Sequence, residues 1–340
     1  MTQYTRISVD TSKFVFTLHG VDAQHRAVLR RNLKRSEFVP FFEKLAPLEV
    51  AMEACGGSHH WGRKLAAFGH QVRLIPPQYV KPFVKRGKSD RNDAEAISEA
   101  AARPGMRNVA VRSADAQAGA MLLSVRELLV RQRTQLANAL RGHANEMGMV
   151  GKLGEKGLTT LRAEIEADTA LPAAAREALG LLGREIDRLE ARLAEVDAKL
   201  NAQHKENADS RRLTAVPGVG PMTALNFILR VDASQFESGR HFAAWLGLVP
   251  REHSTGGKTR LGGISRAGDE RLRQLLVLGA TAVIKNAKPG RKGVSAWLLK
   301  LLERKPRKLA AVALANRMAR ILWAMLTSGE AYRQAELAAA

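Results

Sequence analysis

Cysteine is all but missing from this chain, with Cys55 the single example in 340 residues. An internal disulfide is therefore excluded, and a reducing cytoplasmic setting is expected. Thiolate zinc centres are excluded as well, and the adjacent His59–His60 pair has no nearby ligand set in the sequence to complete a site. Cys55 itself reads as a small packed residue rather than a nucleophile. No uninterrupted apolar run reaches the ~18 residues that would mark a bilayer span, and the opening "MTQYTRISVD" lacks the apolar core of a signal peptide. Acidic residues are also scarce: 33 Asp and Glu stand against 54 Lys and Arg, a net charge of +21. Such an imbalance costs self-repulsion and implies a polyanionic partner, nucleic acid before an anionic membrane surface. Hydrophobic content of 45% fits folded domains rather than a disordered chain.

Three regions follow from the patterning. In residues 1–112, "TRISVD" and "FVFTLH" read as two strands joined by a short turn, with Ala27–Leu33 a third. "PLEVAMEA" and "HQVRLI" are further strands, and helices are expected over Trp61–Phe68 and Ala94–Ala102. Hairpin strands followed by strand–helix alternation predict a mixed α/β sheet. Residues 113–208 change to long helices with almost no aromatics. Leu179, Leu182, Ile186, Leu189, Leu193, Val196 and Leu200 repeat at the spacing of a coiled-coil seam. Leu122, Val125, Leu129, Leu136 and Leu140 form a similar seam interrupted by Gln132, and "MGMVGKLGEKG" separates the two helices. A helical hairpin is expected, packed within its own chain or used to dimerise. Residues 209–335 are mainly helical apart from "GLVPREHSTGGKTRLGGIS", which reads as a loop or β-hairpin. In Lys285–Lys308, nine basic residues face the single Glu303, and the overall charge favours phosphate contact there.

The segment "KSDRNDAEAI" poses a choice. Asp90 as N-cap with Asp93 three residues on resembles a helix-capping arrangement. The same two residues are neighbours on one helical face. Asp10 ends the first apolar strand and Glu53 ends "EVAME", both awkward places for a charge unless something compensates it. An Asp on the first strand, a Glu on a later strand and paired Asp on a helix reproduce the order of acids in an RNase H-like fold. Clustered carboxylates need a cation, and all-oxygen ligands select Mg²⁺ or Mn²⁺.

"LTAVPGVGPMTALNFI" has the form of a helix-hairpin-helix, in which Pro217, Gly218 and Gly220 would present backbone N–H groups to a DNA phosphate. In "REHSTGGKTRLGGISRAGDERLR", Gly256 and Gly257 permit close approach of a phosphate, and Arg251, Lys258, Arg260 and Arg266 would neutralise it. Ser254 is a candidate nucleophile, to be activated by His253 or by a metal held in the other domain.

With these motifs together, the chain resembles the DEDD-type transposases of bacterial insertion sequences, the one-ten family, with Piv-type DNA invertases as relatives. The resemblance runs over nearly the whole length. It implies a RuvC-like (RNase H-like) domain over 1–112, a coiled-coil connector over 113–208 and a transposase domain over 209–335. The acidic tetrad falls on Asp10, Glu53, Asp90 and Asp93, and the catalytic serine on Ser254. Thr255 stands where many relatives carry a second serine, and Ser8 where they usually show glycine. The resemblance further implies Mg²⁺ at the tetrad, a covalent phosphoserine intermediate on donor and target DNA, and guidance by a non-coding bridge RNA. It also implies a homo-oligomer, dimer or tetramer, in which two chains complete one site.

Overall fold

The computed structural model describes residues 4–85, 87, 89–291 and 294–333; Lys88 and Lys292, singled out above within charged segments, lie outside that set. The chain divides into two compact units, Met1–Gln117 and Ala118–Ala340.

In the first unit, five strands form one sheet: β1 (Arg6–Thr11), β2 (Val15–Val21), β3 (Ala27–Lys34), β4 (Glu49–Glu53) and β5 (Gln71–Ile75). Their order is β3-β2-β1-β4-β5. The first three run antiparallel as a meander, while β4 lies parallel to β1 and β5 parallel to β4. The expected mixed sheet is thus present. Central β1 has Ile7, Ser8 and Val9 fully buried, so it is covered on both faces. Edge strand β3 buries only Leu33 and exposes Arg30 and Lys34, charges that discourage further pairing. The buried Ser8 hydroxyl has no hydrogen-bond partner among the described residues.

Helices cover the two faces. One face carries α1 (Arg35–Glu43), which sequence patterning missed, and α2 (Ser58–Ala67). Phe16, Phe38 and Trp61 meet there edge to face at 4.7–5.1 Å between centroids, a preferred aromatic geometry. The other face carries α3 (Pro77–Val80) and α4 (Asp90–Ala102). The period-two pleat of β4 divides its side chains between these layers. Val50 and Met52 join the aromatic layer, whereas Ala51 joins Ala96, Ile97, Ala100 and Ala101 of α4. These small residues let α4 lie close against the sheet, and that close seat positions its N-terminus.

The second unit opens within α5 (Ala114–Glu146), followed by α6 (Glu155–Ala167) and α7 (Ala173–Glu206). Helices α5 and α7 run antiparallel, with Arg126 paired to Asp197 and Arg133 to Glu190. The helical hairpin is therefore formed within one chain. Leu179, Ile186, Leu189 and Leu200 of the expected seam are buried in it. Two details differ from the expectation. The separating segment is not only a Gly-rich link, because α6 forms there and inserts Leu158, Leu161 and Ile165 into the core of the hairpin. On α5 the buried positions are Gly119, Ala120, Leu123, Ala137, Leu140 and Ala144, while Val125 is 46% exposed. Alanines carry that contact, and a reading built on Leu and Val spacing passes over them.

The remainder is α8 (Ala208–Leu213), α9 (Pro221–Arg230), α10 (Gly239–Trp245), strands β6 (Pro250–Glu252) and β7 (Leu261–Ile264), α11 (Glu270–Lys285), α12 (Ala296–Arg304) and α13 (Arg307–Ser328). Helix α13 is long and apolar enough to cross a bilayer by length and composition. Its buried residues Ala311, Ala315, Met318, Leu322 and Met325 instead line the core of this unit with Phe227, Phe242 and Leu276.

Candidate active site

Three elements of the first unit bring the acids together. Asp10 follows Val9 on β1, and Glu53 follows Met52 on β4, where Val9 and Met52 are register partners on parallel strands. Both carboxylates therefore leave the sheet at the same end of adjacent strands. Helix α4 supplies the others from its first turn. Asp90 does not cap this helix, contrary to the capping alternative. Ser89 has extended backbone and its Oγ accepts the Asn92 N–H at 3.3 Å, which leaves Asp90 and Asp93 inside the helix with their carboxylates uncommitted to the cap. Replacing Ser89 by Ala is expected to cost about 1 kcal/mol, read as a lower urea midpoint with an unchanged slope.

One carboxylate oxygen from each of Asp10, Asp90 and Asp93 lies within 4.8 Å of the others. Glu53 stands outside that triad but adjoins it: its carboxyl is raised from the ordinary value by burial and then by the charge of Asp93. Asp10 is pushed up to about 6, first by burial, then by the charges of Asp93, Asp90 and Glu53, with the Thr11 backbone N–H working in the opposite direction. Like charges gathered on a half-buried strand end are unfavourable unless a cation or a proton balances them. The donors are all hard oxygens, the chemistry of Mg²⁺ or Mn²⁺ rather than zinc. The residues present fit a divalent ion.

Ser254 lies in the second unit, on the hairpin formed by β6 and β7. Thr255 and Lys258 pair at the tip, and Gly256 and Gly257 between them have φ of +55° and +74°. Two successive positive φ values define a tight two-residue turn that glycine adopts without strain. No atom lies within 4 Å of a Cβ built on either glycine, so the tip stands open. The Ser254 hydroxyl donates to Glu252 Oε1 at 2.8 Å and accepts the Arg260 N–H at 3.2 Å. The carboxylate hydrogen-bonded to Ser254 is that of Glu252, and among the described residues no hydrogen bond joins Ser254 to His253. Residues two apart on extended chain share a face, and His253 points to the other one. Sequence reasoning missed Glu252, although the alternation in "REHS" held the signal.

The basic residues of this segment divide. Arg251 donates to the Ser265 carbonyl at 3.3–3.4 Å, bracing the base of the hairpin. Lys258 and Arg260 are exposed near the tip, and exposed Arg266 takes a left-handed φ of 56°. At the other glycine motif, α8 and α9 flank the expected turn. Gly218 has φ +86°, and a Cβ there would come 2.8 Å from the Gly279 carbonyl oxygen. That glycine is required by packing against α11, and Pro217 is half-buried beside it. Gly220 is exposed at the start of α9, whose N-terminus no side chain caps.

Two family models match the chain: a DEDD transposase of the IS110 type over residues 7–149, and the transposase IS116/IS110/IS902 family over residues 210–294. Among whole-length relatives, "Putative transposase y4pF/y4sB" of Sinorhizobium fredii is 52% identical, covering 98% of this chain and 87% of the relative. The transposase for insertion sequence element IS1111A of Coxiella burnetii is 40% identical over 96% of this chain and 91% of the relative. That for IS1328 of Yersinia enterocolitica is 35% identical over 98% and 99%. The chain belongs to the IS110 family of insertion-sequence transposases. IS110-family transposases are enzymes that cleave and rejoin DNA. In this one, the first matched region contains all four acids and the second contains the Pro217–Gly220 turn and Ser254.

Proposed function

We propose that this transposase recombines DNA through a covalent phosphoserine intermediate, with Ser254 as nucleophile and with Asp10, Glu53, Asp90 and Asp93 holding Mg²⁺ or Mn²⁺. The observation that carries the reading is the convergence of Asp10, Asp90 and Asp93 within 4.8 Å, with the Asp10 carboxyl pushed up to about 6. When bound there, a divalent ion supplies positive charge to the attacking and leaving oxygens of a phosphodiester. Glu252 takes the proton of the Ser254 hydroxyl, and the Ser254 oxygen forms a bond to phosphorus as the bond to one strand oxygen breaks. The freed strand oxygen keeps the electron pair and takes up a proton. Attack by a second strand end later reverses the linkage and releases the serine. Lys258, Arg260 and Arg266, with Gly256 and Gly257 at the open tip, receive the phosphates of donor and target DNA. Pro217, Gly218 and Gly220 hold the backbone without reading bases.

Three working parts, bounded near 112 and 208, suit this division of labour in a cytoplasmic enzyme. A non-coding bridge RNA selects the DNA sites, in keeping with the family resemblance and the +21 charge. Exposed Met121, Val125, Leu128 and Leu181 on the connector helices support self-association, so that the carboxylates of one chain and Ser254 of another form one site.

The alternative is a metal-dependent junction nuclease that uses water and never links to DNA. A denaturing gel after incubation with element-end DNA separates the two: protein-linked DNA, lost in Ser254→Ala, supports the serine route, and strand cleavage with no linked species overturns it. Glu252→Gln is expected to slow formation of the linked species about a hundredfold, with DNA affinity within twofold of wild type.

A further inference from the structure

An open cavity of about 1120 Å³ is lined by residues of α10, α12, α13 and the two strands of the Ser254 hairpin. Pro250 of β6 and Gly263 of β7 form one wall. Trp297 lines the cavity too, with the Arg317 guanidinium over its ring at 4.9 Å from the centroid. Arg240 and Arg320 also line the cavity, and no Asp or Glu does among the described residues. Neither Arg240, Arg317 nor Arg320 has a carboxylate within 4.0 Å among the described ion pairs.

We propose that this cavity receives an unpaired nucleotide of the DNA strand held at Ser254, its base stacked on the Trp297–Arg317 pair and its phosphates on Arg240 and Arg320. The placement relative to the attacked phosphate rests on the serine-recombinase reading. Stacking on an aromatic ring or a guanidinium plane is how proteins hold bases taken out of a helix. A base inside a duplex cannot present its face to such a platform, so the nucleotide must be extruded. At about 1120 Å³ and open to solvent, the cavity has room for one nucleotide of a strand that continues out of it. Proximity to Ser254 points to the DNA strand that the serine holds. Pro250 and Ser254 are four residues apart, at most about 13 Å even in extended chain, the reach of about four nucleotides of one strand. A base in the cavity would therefore lie within about four nucleotides of the phosphate at Ser254.

The test measures binding of the full-length protein to a short oligo(dT), to an abasic strand of equal length and to oligo(rU), with tryptophan fluorescence as a second readout. Wild type is expected to prefer oligo(dT) over the abasic strand and to show quenching. Trp297→Leu should lower oligo(dT) affinity about tenfold and leave abasic binding unchanged. Arg317→Gln should act in the same direction, and thermal melting checks that each variant is folded. Equal binding of the oligo(dT) and abasic strands by wild type overturns the proposal. So does wild-type affinity in folded Arg317→Gln, and so does preference for oligo(rU), which would assign the cavity to RNA. Ser254→Ala should bind oligo(dT) as wild type does. Base-dependent binding without any covalent DNA linkage would sink the serine reading and the flanking placement, whereas normal linkage without base-dependent binding would sink the cavity proposal alone.

Discussion

Asp10→Asn is expected to abolish Mg²⁺-dependent strand cleavage, by at least about a thousandfold, while raising the melting temperature of the metal-free protein. The first effect follows from losing an anionic ligand at the centre of the cluster. Charge stabilisation by a bound divalent ion is worth several kcal/mol, and each ~1.4 kcal/mol is a factor of ten in rate. The second effect has the opposite sign and comes from the same repulsion. Asp10 sits at about 6 against an ordinary value of 3.8, because burial and then Asp93, Asp90 and Glu53 disfavour its charge. Between those two values the folded protein binds more protons than the unfolded chain, so stability falls as pH rises. The contribution is fully present below about pH 4 and is lost as pH passes about 6. Asp10 is half-buried, and solvent screening reduces the effect to the order of 1 kcal/mol. In the metal-free wild type, the melting temperature should drop across pH 4 to 6. Asp10→Asn should flatten that drop, and Mg²⁺ should offset it in wild type by binding only the folded state. A cleavage-competent Asp10→Asn would remove Asp10 from the site. An unchanged pH dependence of melting in that variant would remove the repulsion argument.

Ser254→Ala is expected to eliminate covalent DNA linkage and to reduce recombination by more than about a thousandfold, since no other nucleophile takes its role. The hydroxyl stands on a narrow hairpin between Glu252 and the Arg260 N–H, and its loss removes neither the two-glycine turn nor the strand pairing. DNA affinity should therefore stay within about twofold, and the melting temperature within a degree or two, as surface substitutions usually leave it. A fall in binding that matched the fall in activity would instead make Ser254 a contact residue. Thr255 pairs with Lys258 across the turn, so Thr255→Ala should retain activity if the assignment to Ser254 is right. The contrast with Glu252→Gln is informative, because losing the proton acceptor slows linkage without removing the atom that forms it.

Much of this arrangement was legible in the sequence, and the parts that were not have physical reasons. The strand assignments held because apolar runs such as "RISVD" and "EVAME" sit in a sheet covered on both faces, where pattern and burial coincide. The short edge of the pattern failed at α1, whose Phe38 and Phe42 are its buried anchors and whose Pro40 argues locally against a helix. Convergence of Asp10, Asp90 and Asp93 depended on α4 lying close to β4, which is a matter of Ala51, Ala96 and Ala100, residues too small to register as a motif. The cap went to Ser89 rather than Asp90 because a hydroxyl with extended backbone serves the Asn92 N–H as well as a carboxylate does. Adjacency in sequence favours His253 as the neighbour of Ser254, whereas strand geometry sets the neighbours at two residues and so favours Glu252. Gly218 carries a second requirement that the turn motif does not show, since its close contact with Gly279 leaves no room for a Cβ.

The central claim is that the carboxylate cluster and Ser254 serve one reaction. Mass spectrometry of peptides from protein incubated with element-end DNA, in Mg²⁺ and in EDTA, addresses it directly. The expected result is a nucleotide phosphate on the peptide containing Ser254, formed by wild type in Mg²⁺ and absent in EDTA and in Asp10→Asn. Cleaved DNA in Mg²⁺ with Ser254 unmodified, or a Ser254 linkage that forms equally in Asp10→Asn and EDTA, would contradict it.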